Sequence, residues 1–221
     1  RMRFLVFQML SVFLILLAGW ILAGGEIAPV NENQLFFSSV LLGFGIALWL
    51  GAFPFYSWIP LFADEVSYLP FGFMMTIIPL SSVMMLLKLL NDFAWLREYN
   101  AFFLPLQYLG ALMILLGSAG AFFQKSLNRM FAFLLIMGIG LLLCAVGFIP
   151  FVSTELVSMW ILVYVFACVS ISIGYHKLVD GSKVNSIDAL NGLFHEKPEY
   201  SILLISGLLS LIGFPFFSGF I

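Results

Sequence analysis

The chain has 221 residues, of which 63% are hydrophobic and only 9% charged, with a formal net charge of −2. Soluble domains carry about 25% charged residues, so the composition excludes a chain solvated mainly by water and points to an all-α, polytopic membrane protein. No basic run is present that would hold nucleic acid, which leaves the lipid bilayer as the expected surrounding.

A helix needs about 20 apolar residues to cross roughly 30 Å of hydrocarbon. Seven such runs occur, near 4–23, 35–53, 70–90, 101–123, 127–148, 153–175 and 199–221. The first follows Arg1 and Arg3 and leads into the small residues Ala18–Gly25, in the manner of a signal peptide. Its apolar run is too long for that, and it is read as a true span. The connection at 24–34 holds two acids and no base.

The second span runs into FPFYS at 53–57, and the last contains FPFFS at 214–218. Pro54 lacks a backbone donor and crowds the preceding turn, so the helix is expected to break there. Freed backbone groups are tolerated at membrane depth only where protein or water covers them. Gly51 and Gly213 precede the two turns, and Ser57 and Ser218 follow them. The turns lie five helices apart, so the copies would run in opposite directions. Such inverted repeats with paired broken helices frame ion or substrate paths. The expected organisation is one transmembrane domain, 1–221, holding parts of two inverted repeats at about 1–90 and 101–221.

The nine Lys and Arg residues sort by side. Arg1, Arg3, Lys125, Arg129, Lys177, Lys183 and Lys197 fall on one side, against Lys88 and Arg97 on the other. The positive-inside rule places the first group in the cytoplasm or matrix. Cys144 and Cys168 lie in separate spans without metal-ligand spacing, and His176 and His195 share one loop, so no metal site is expected.

Three segments carry a family resemblance. GAFPFYSWIPLFADEVSYLP (51–70) resembles the PFHxWxPDxxxxAP signature of the antiporter-like membrane subunits of respiratory complex I, through Pro54, Phe55, Trp58 and Pro60, with Pro70 closing the segment. QKSLNRMFAFLLIMGIG (124–140) is similar to that family's QxDxKRxxAYSSIxHxG, through Gln124, Arg129, Ala132, Ile136 and Gly140. DALNGLFHEKPEYSILLISGLLSLIGFPFFSGF (188–220) resembles its GLxxxxP loop and SLxGxPPxxGF helix, nearest the N-type subunit, with Pro215 in the second broken helix. The order of the segments makes the chain correspond to helices six through twelve of about fourteen. Arg1 in place of Met, and Ile221 inside an apolar run, fit a truncated or split chain.

The resemblance implies an inverted-repeat, antiporter-like bundle with two Pro-broken helices, in the membrane arm of a NADH:quinone oxidoreductase. It places the chain in the mitochondrial inner membrane or the bacterial plasma membrane. Partners would be other membrane-arm subunits of a large hetero-oligomeric complex. No cofactor would be bound by this chain; quinone, FMN and iron–sulfur clusters would belong to partner subunits. A cation/proton antiporter or a membrane-bound hydrogenase subunit is the alternative.

The family moves protons along mid-membrane lysines, a glutamate and hydrated polar groups, which are costly in lipid and therefore functional by default. Here the corresponding positions are degenerate. The lysine before the first motif falls on Trp49, that of the next helix on Ser82, and the two motif histidines on Tyr56 and Gly138. The remaining candidates for a proton path are Asp64 and Glu65 beside the broken helix, Tyr56, Ser82, Lys88 and Glu155. The hydroxyls of Ser57, Tyr164 and Ser218 are further candidates, all relaying protons only through water. Lys88 lies 18 residues after Pro70, about 27 Å of helix rise, and fits snorkelling at the outer interface better than a pathway lysine. Two functional readings follow: a proton-translocating subunit, or one that keeps the fold and place but has lost its own path.

Overall fold

The computed structural model describes residues 2–24, 32–92, 100–149, 154–179 and 193–212. The described residues are almost entirely helical. In chain order they form α1 (Met2–Gly24), α2 (Glu32–Leu50), a 3-10 turn (Phe55–Ser57), α3 (Trp58–Glu65) and α4 (Tyr68–Asp92). There follow α5 (Asn100–Phe123), α6 (Leu127–Gly147), α7 (Thr154–Val179), the short α8 (Leu193–Glu196) and α9 (Pro198–Ile212).

Among the described residues, six segments are long and apolar enough to span a membrane: 4–21, 36–65, 69–92, 102–123, 127–147 and 155–179. The seventh expected span begins as α9, a 15-residue apolar helix. FPFFS, with Pro215 and Ser218, lies outside the described residues. The second span is longer than the expected 35–53, because α3 continues it beyond the break.

α6 forms the centre of the bundle. It packs against α5 on one side and against α3, α4 and α7 on others, while α1 rests on α2 and α9 on α7. Small residues set the closest approach, as expected where apolar lipid gives no hydrophobic drive and packing decides. A Cβ on Gly110 of α5 would meet the Cys144 amide nitrogen at 2.7 Å, and one on Gly140 of α6 would meet the Gly110 carbonyl oxygen at 2.8 Å. Any larger residue would force these two helices apart.

The outward faces are apolar. Phe13, Leu16 and Trp20 on α1, Leu115 and Phe122 on α5, and Leu162 and Phe166 on α7 are all exposed. Monomeric soluble proteins rarely expose contiguous apolar surface of this kind, whereas a bilayer supplies the matching solvent. The protein is therefore an integral, polytopic all-α membrane protein.

Candidate functional site: the broken helix and its supporting layers

α2 ends at Leu50, and Gly51 adopts φ 63° to turn the chain away from the helix axis. A left-handed backbone suits glycine, which has no Cβ to collide with the carbonyl. The Phe53–Pro54 peptide is cis. Phe55–Ser57 then make a single 3-10 turn, and α3 resumes at Trp58.

The break is largely self-satisfied. Gly51 N–H donates to Leu48 O (3.2 Å), Ala52 N–H to Ala47 O (2.7 Å) and Phe55 N–H to Ala52 O (2.6 Å). Phe53 N–H donates to the Met113 thioether sulfur at 3.3 Å. Met113 lies near the middle of the 24-residue α5, which sets the break near mid-membrane. Rings hold the turn in place: Phe55 packs against Phe7 and Phe44 (5.7 and 6.2 Å between centroids), and half-buried Tyr56 stacks on Phe53. Trp58 and Pro60 are buried, and Phe4 covers Trp58 at 5.0 Å. The buried Trp58 Nε1 has no hydrogen-bond partner among the described residues. Pro54 and Ser57 are exposed on the outer rim of the turn.

The far end of α3 docks onto the start of α6. Asp64 Oδ2 pairs with Arg129 Nε at 2.7 Å. Asn128 Nδ2 donates to Ala63 O (3.4 Å), and Tyr175 OH of α7 donates to Asn128 Oδ1 (3.2 Å). Ser126 caps α6 by accepting from Arg129 N–H at 3.4 Å. Asp64 and Arg129 are far apart in the sequence. The fold brings them together across 65 positions of chain.

Trp49, Ser82 and Gly138, where the resembling motifs carry lysine or histidine, are neutral residues. The Trp49 carbonyl accepts from Gln8 Nε2 of α1 at 3.0 Å. Ser82 is buried, and its hydroxyl donates to Pro79 O of its own helix at 2.8 Å. Gly138 is filled by Tyr164: a Cβ there would stand 2.7 Å from the tyrosine Cε2. Tyr164 is itself buried and donates to Met75 O at 3.5 Å.

Among the described residues, the buried polar side chains are serines, Thr76 and Asn128, together with Tyr164, Tyr175 and Cys168, and no Lys, Arg, His, Asp or Glu is buried. Several of the hydroxyls close back on their own helices, as Thr76 on Gly72 O (2.7 Å) and Ser172 on Cys168 O (2.6 Å), the usual way for such residues to satisfy themselves in a helix. Lys88 and Glu155 are exposed near the outer ends of α4 and α7. Glu155 stands in the first turn of α7, where a negative charge meets the positive end of the helix dipole. Asp64 and Glu65 are exposed at the inner end of α3. Lys88 and Glu155 therefore lie at one face of the bundle, and Asp64 and Glu65 at the other.

An apolar bundle of spanning helices, one of them broken at mid-depth by a proline turn, is the architecture of a polytopic membrane protein with a discontinuous helix. The family described as NADH:quinone oxidoreductase/Mrp antiporter, TM, matches residues 3–221, and the chain belongs to it. It is 29% identical over 192 residues to NADH-quinone oxidoreductase subunit N of Ruthia magnifica subsp. Calyptogena magnifica, covering 83% of this chain and 38% of that protein. It is 27% identical over 206 residues to subunit N of Geobacillus kaustophilus (strain HTA426), covering 89% and 41%. With NADH-ubiquinone oxidoreductase chain 2 of Elephas maximus it shares 28% identity over 171 residues, covering 77% and 45%. The chain thus spans about two fifths of the length of the curated relatives it matches.

Proposed function

We propose that this chain serves as a membrane-arm subunit of a proton-translocating NADH:quinone oxidoreductase, supplying the broken-helix bundle while its own stretch of the proton path is degenerate. The observation that supports the reading is the match over residues 3–221 on a chain whose expected relay positions, Trp49, Ser82 and Gly138, are neutral, with Ser82 buried and Gly138 filled by Tyr164. A proton cannot cross hydrocarbon without titratable groups or connected water, and a hydroxyl bonded to its own helix offers neither. The bundle in this reading serves as a scaffold between neighbouring subunits. The chain in this reading holds parts of two inverted copies, about 1–90 and 101–221, the first of them broken at Pro54. Quinone, FMN and iron–sulfur clusters belong to partner subunits, and other membrane-arm subunits flank the chain.

The assembly is tested by native electrophoresis of gently solubilised membranes, with mass spectrometry of the band that holds this chain. Comigration with flavin- and iron–sulfur-bearing subunits is expected. A small band holding this chain alone, or only other antiporter-like chains, overturns the reading.

A further inference from the structure

The turn between α5 and α6 carries a pocket of about 550 Å³ lined by Asp64, Gln124, Lys125, Ser126 and Arg129. It lies on the side that seven of the nine basic residues mark as inner. Three sources of positive potential meet there: the Lys125 ammonium, the Arg129 guanidinium, and the amino end of the 21-residue α6. Among the described residues, Asp64 pairs with Arg129 through Nε. That contact fixes the plane of the guanidinium and leaves its two terminal nitrogens without a partner among the described residues, in the fork that suits two phosphate oxygens. Asp64 and Arg129 cancel in charge, so Lys125 leaves the pocket with one net positive charge.

The residues preceding the pocket say which phosphate it suits. Phe122 and Phe123 close α5 with 84% and 78% of their surfaces exposed, edge to face at 5.4 Å. A free inorganic anion has no use for two bare rings beside it, whereas an acyl chain does. Basic pockets between transmembrane helices on the inner side are where anionic headgroups bind.

We propose that this pocket holds the phosphodiester headgroup of an anionic phospholipid, gripped by Lys125, the Arg129 fork and the amino end of α6, with its acyl chains running along Phe122 and Phe123. The lipid would pin the α5–α6 hairpin at a fixed depth. The proposal requires membrane embedding but not the assembly reading above.

The test uses the full chain in phosphatidylcholine vesicles with a minor fraction of phosphatidylglycerol carrying a photoactivatable group on its acyl chain. Irradiation followed by peptide mapping should give adducts concentrated on the segment holding Phe122 and Phe123. The same label on phosphatidylcholine should spread over all lipid-facing helices. Lys125→Gln, which breaks no hydrogen bond or ion pair among the described residues, should lower the phosphatidylglycerol adducts there about fivefold, and Arg129→Gln at least as much. Identical adduct patterns for the two lipids, or an unchanged pattern in Lys125→Gln, overturn the proposal. Loss of the enrichment on adding inorganic phosphate, beyond that caused by chloride at equal ionic strength, identifies free phosphate as the ligand and overturns the lipid assignment.

Discussion

The ring of Tyr164 occupies the space that a side chain at position 138 would need: a Cβ on Gly138 would lie 2.7 Å from Tyr164 Cε2. Gly138 is the position at which the resembling motif carries a histidine. The two residues act as one packing unit between α6 and α7, in which the tyrosine supplies from the neighbouring helix the volume the glycine lacks. The same contact leaves no room for a larger side chain at position 138 while Tyr164 keeps its place.

Gly138→Ala should therefore destabilise the protein by about 1–3 kcal/mol through overpacking, and Gly138→His by more. Paired with Tyr164→Ala, the histidine should be accommodated, so the double variant melts higher than the sum of the single effects predicts. Residues in contact couple by about 0.5–3 kcal/mol. Thermal midpoints of the four proteins in one detergent measure the coupling, and additive shifts would show that the contact has no energetic weight.

Gly51 is the second position where glycine is needed. An alanine there must hold φ 63° and place its Cβ 2.9 Å from Trp58 Nε1. Gly51→Ala should cost at least about 1–2 kcal/mol for the left-handed backbone alone. Gly19→Ala on α1, where nothing lies within 4 Å of the added carbon, should leave the midpoint unchanged or raise it. Equal shifts for the two would refute the geometry assigned to the break.

The contacts that dock α3 onto α6 differ in their surroundings. Tyr175 and Asn128 are buried, so Tyr175→Phe should lower stability by about 1 kcal/mol and do so at any ionic strength. The Asp64–Arg129 pair is partly exposed, with 32% and 48% of the side chains accessible. Asp64→Asn should cost less than about 1 kcal/mol, and the difference should shrink as salt is added. Midpoints recorded at low and high salt separate the two.

How much of this was legible in the sequence follows from the cost of polar groups in lipid. That cost makes each span a run of apolar residues, and the spans, the break at Pro54 and the family could all be read from local pattern. The continuation of the second span through α3 was harder to see, because FPFYS reads as an end and the eight residues from Trp58 to Glu65 are too few to announce a crossing. The pairing of Asp64 with Arg129 and of Asn128 with Tyr175 joins residues 65 and 47 positions apart, and no periodicity encodes such a distance. The Phe53 amide finding the Met113 sulfur is of the same kind. The missing lysines and histidines were visible at once; what fills Gly138 became visible only with α7 in place.

The central claim, that the bundle holds its place without a working proton path of its own, is tested most directly on the intact assembly in sealed vesicles. The number of protons moved per electron is measured for the parent and for the double variant Asp64→Asn with Glu65→Gln, which removes the carboxylates at the inner end of α3. The account predicts the same ratio for both. Loss of pumping while the assembly and its electron transfer persist would contradict it and make these carboxylates the mouth of a live path.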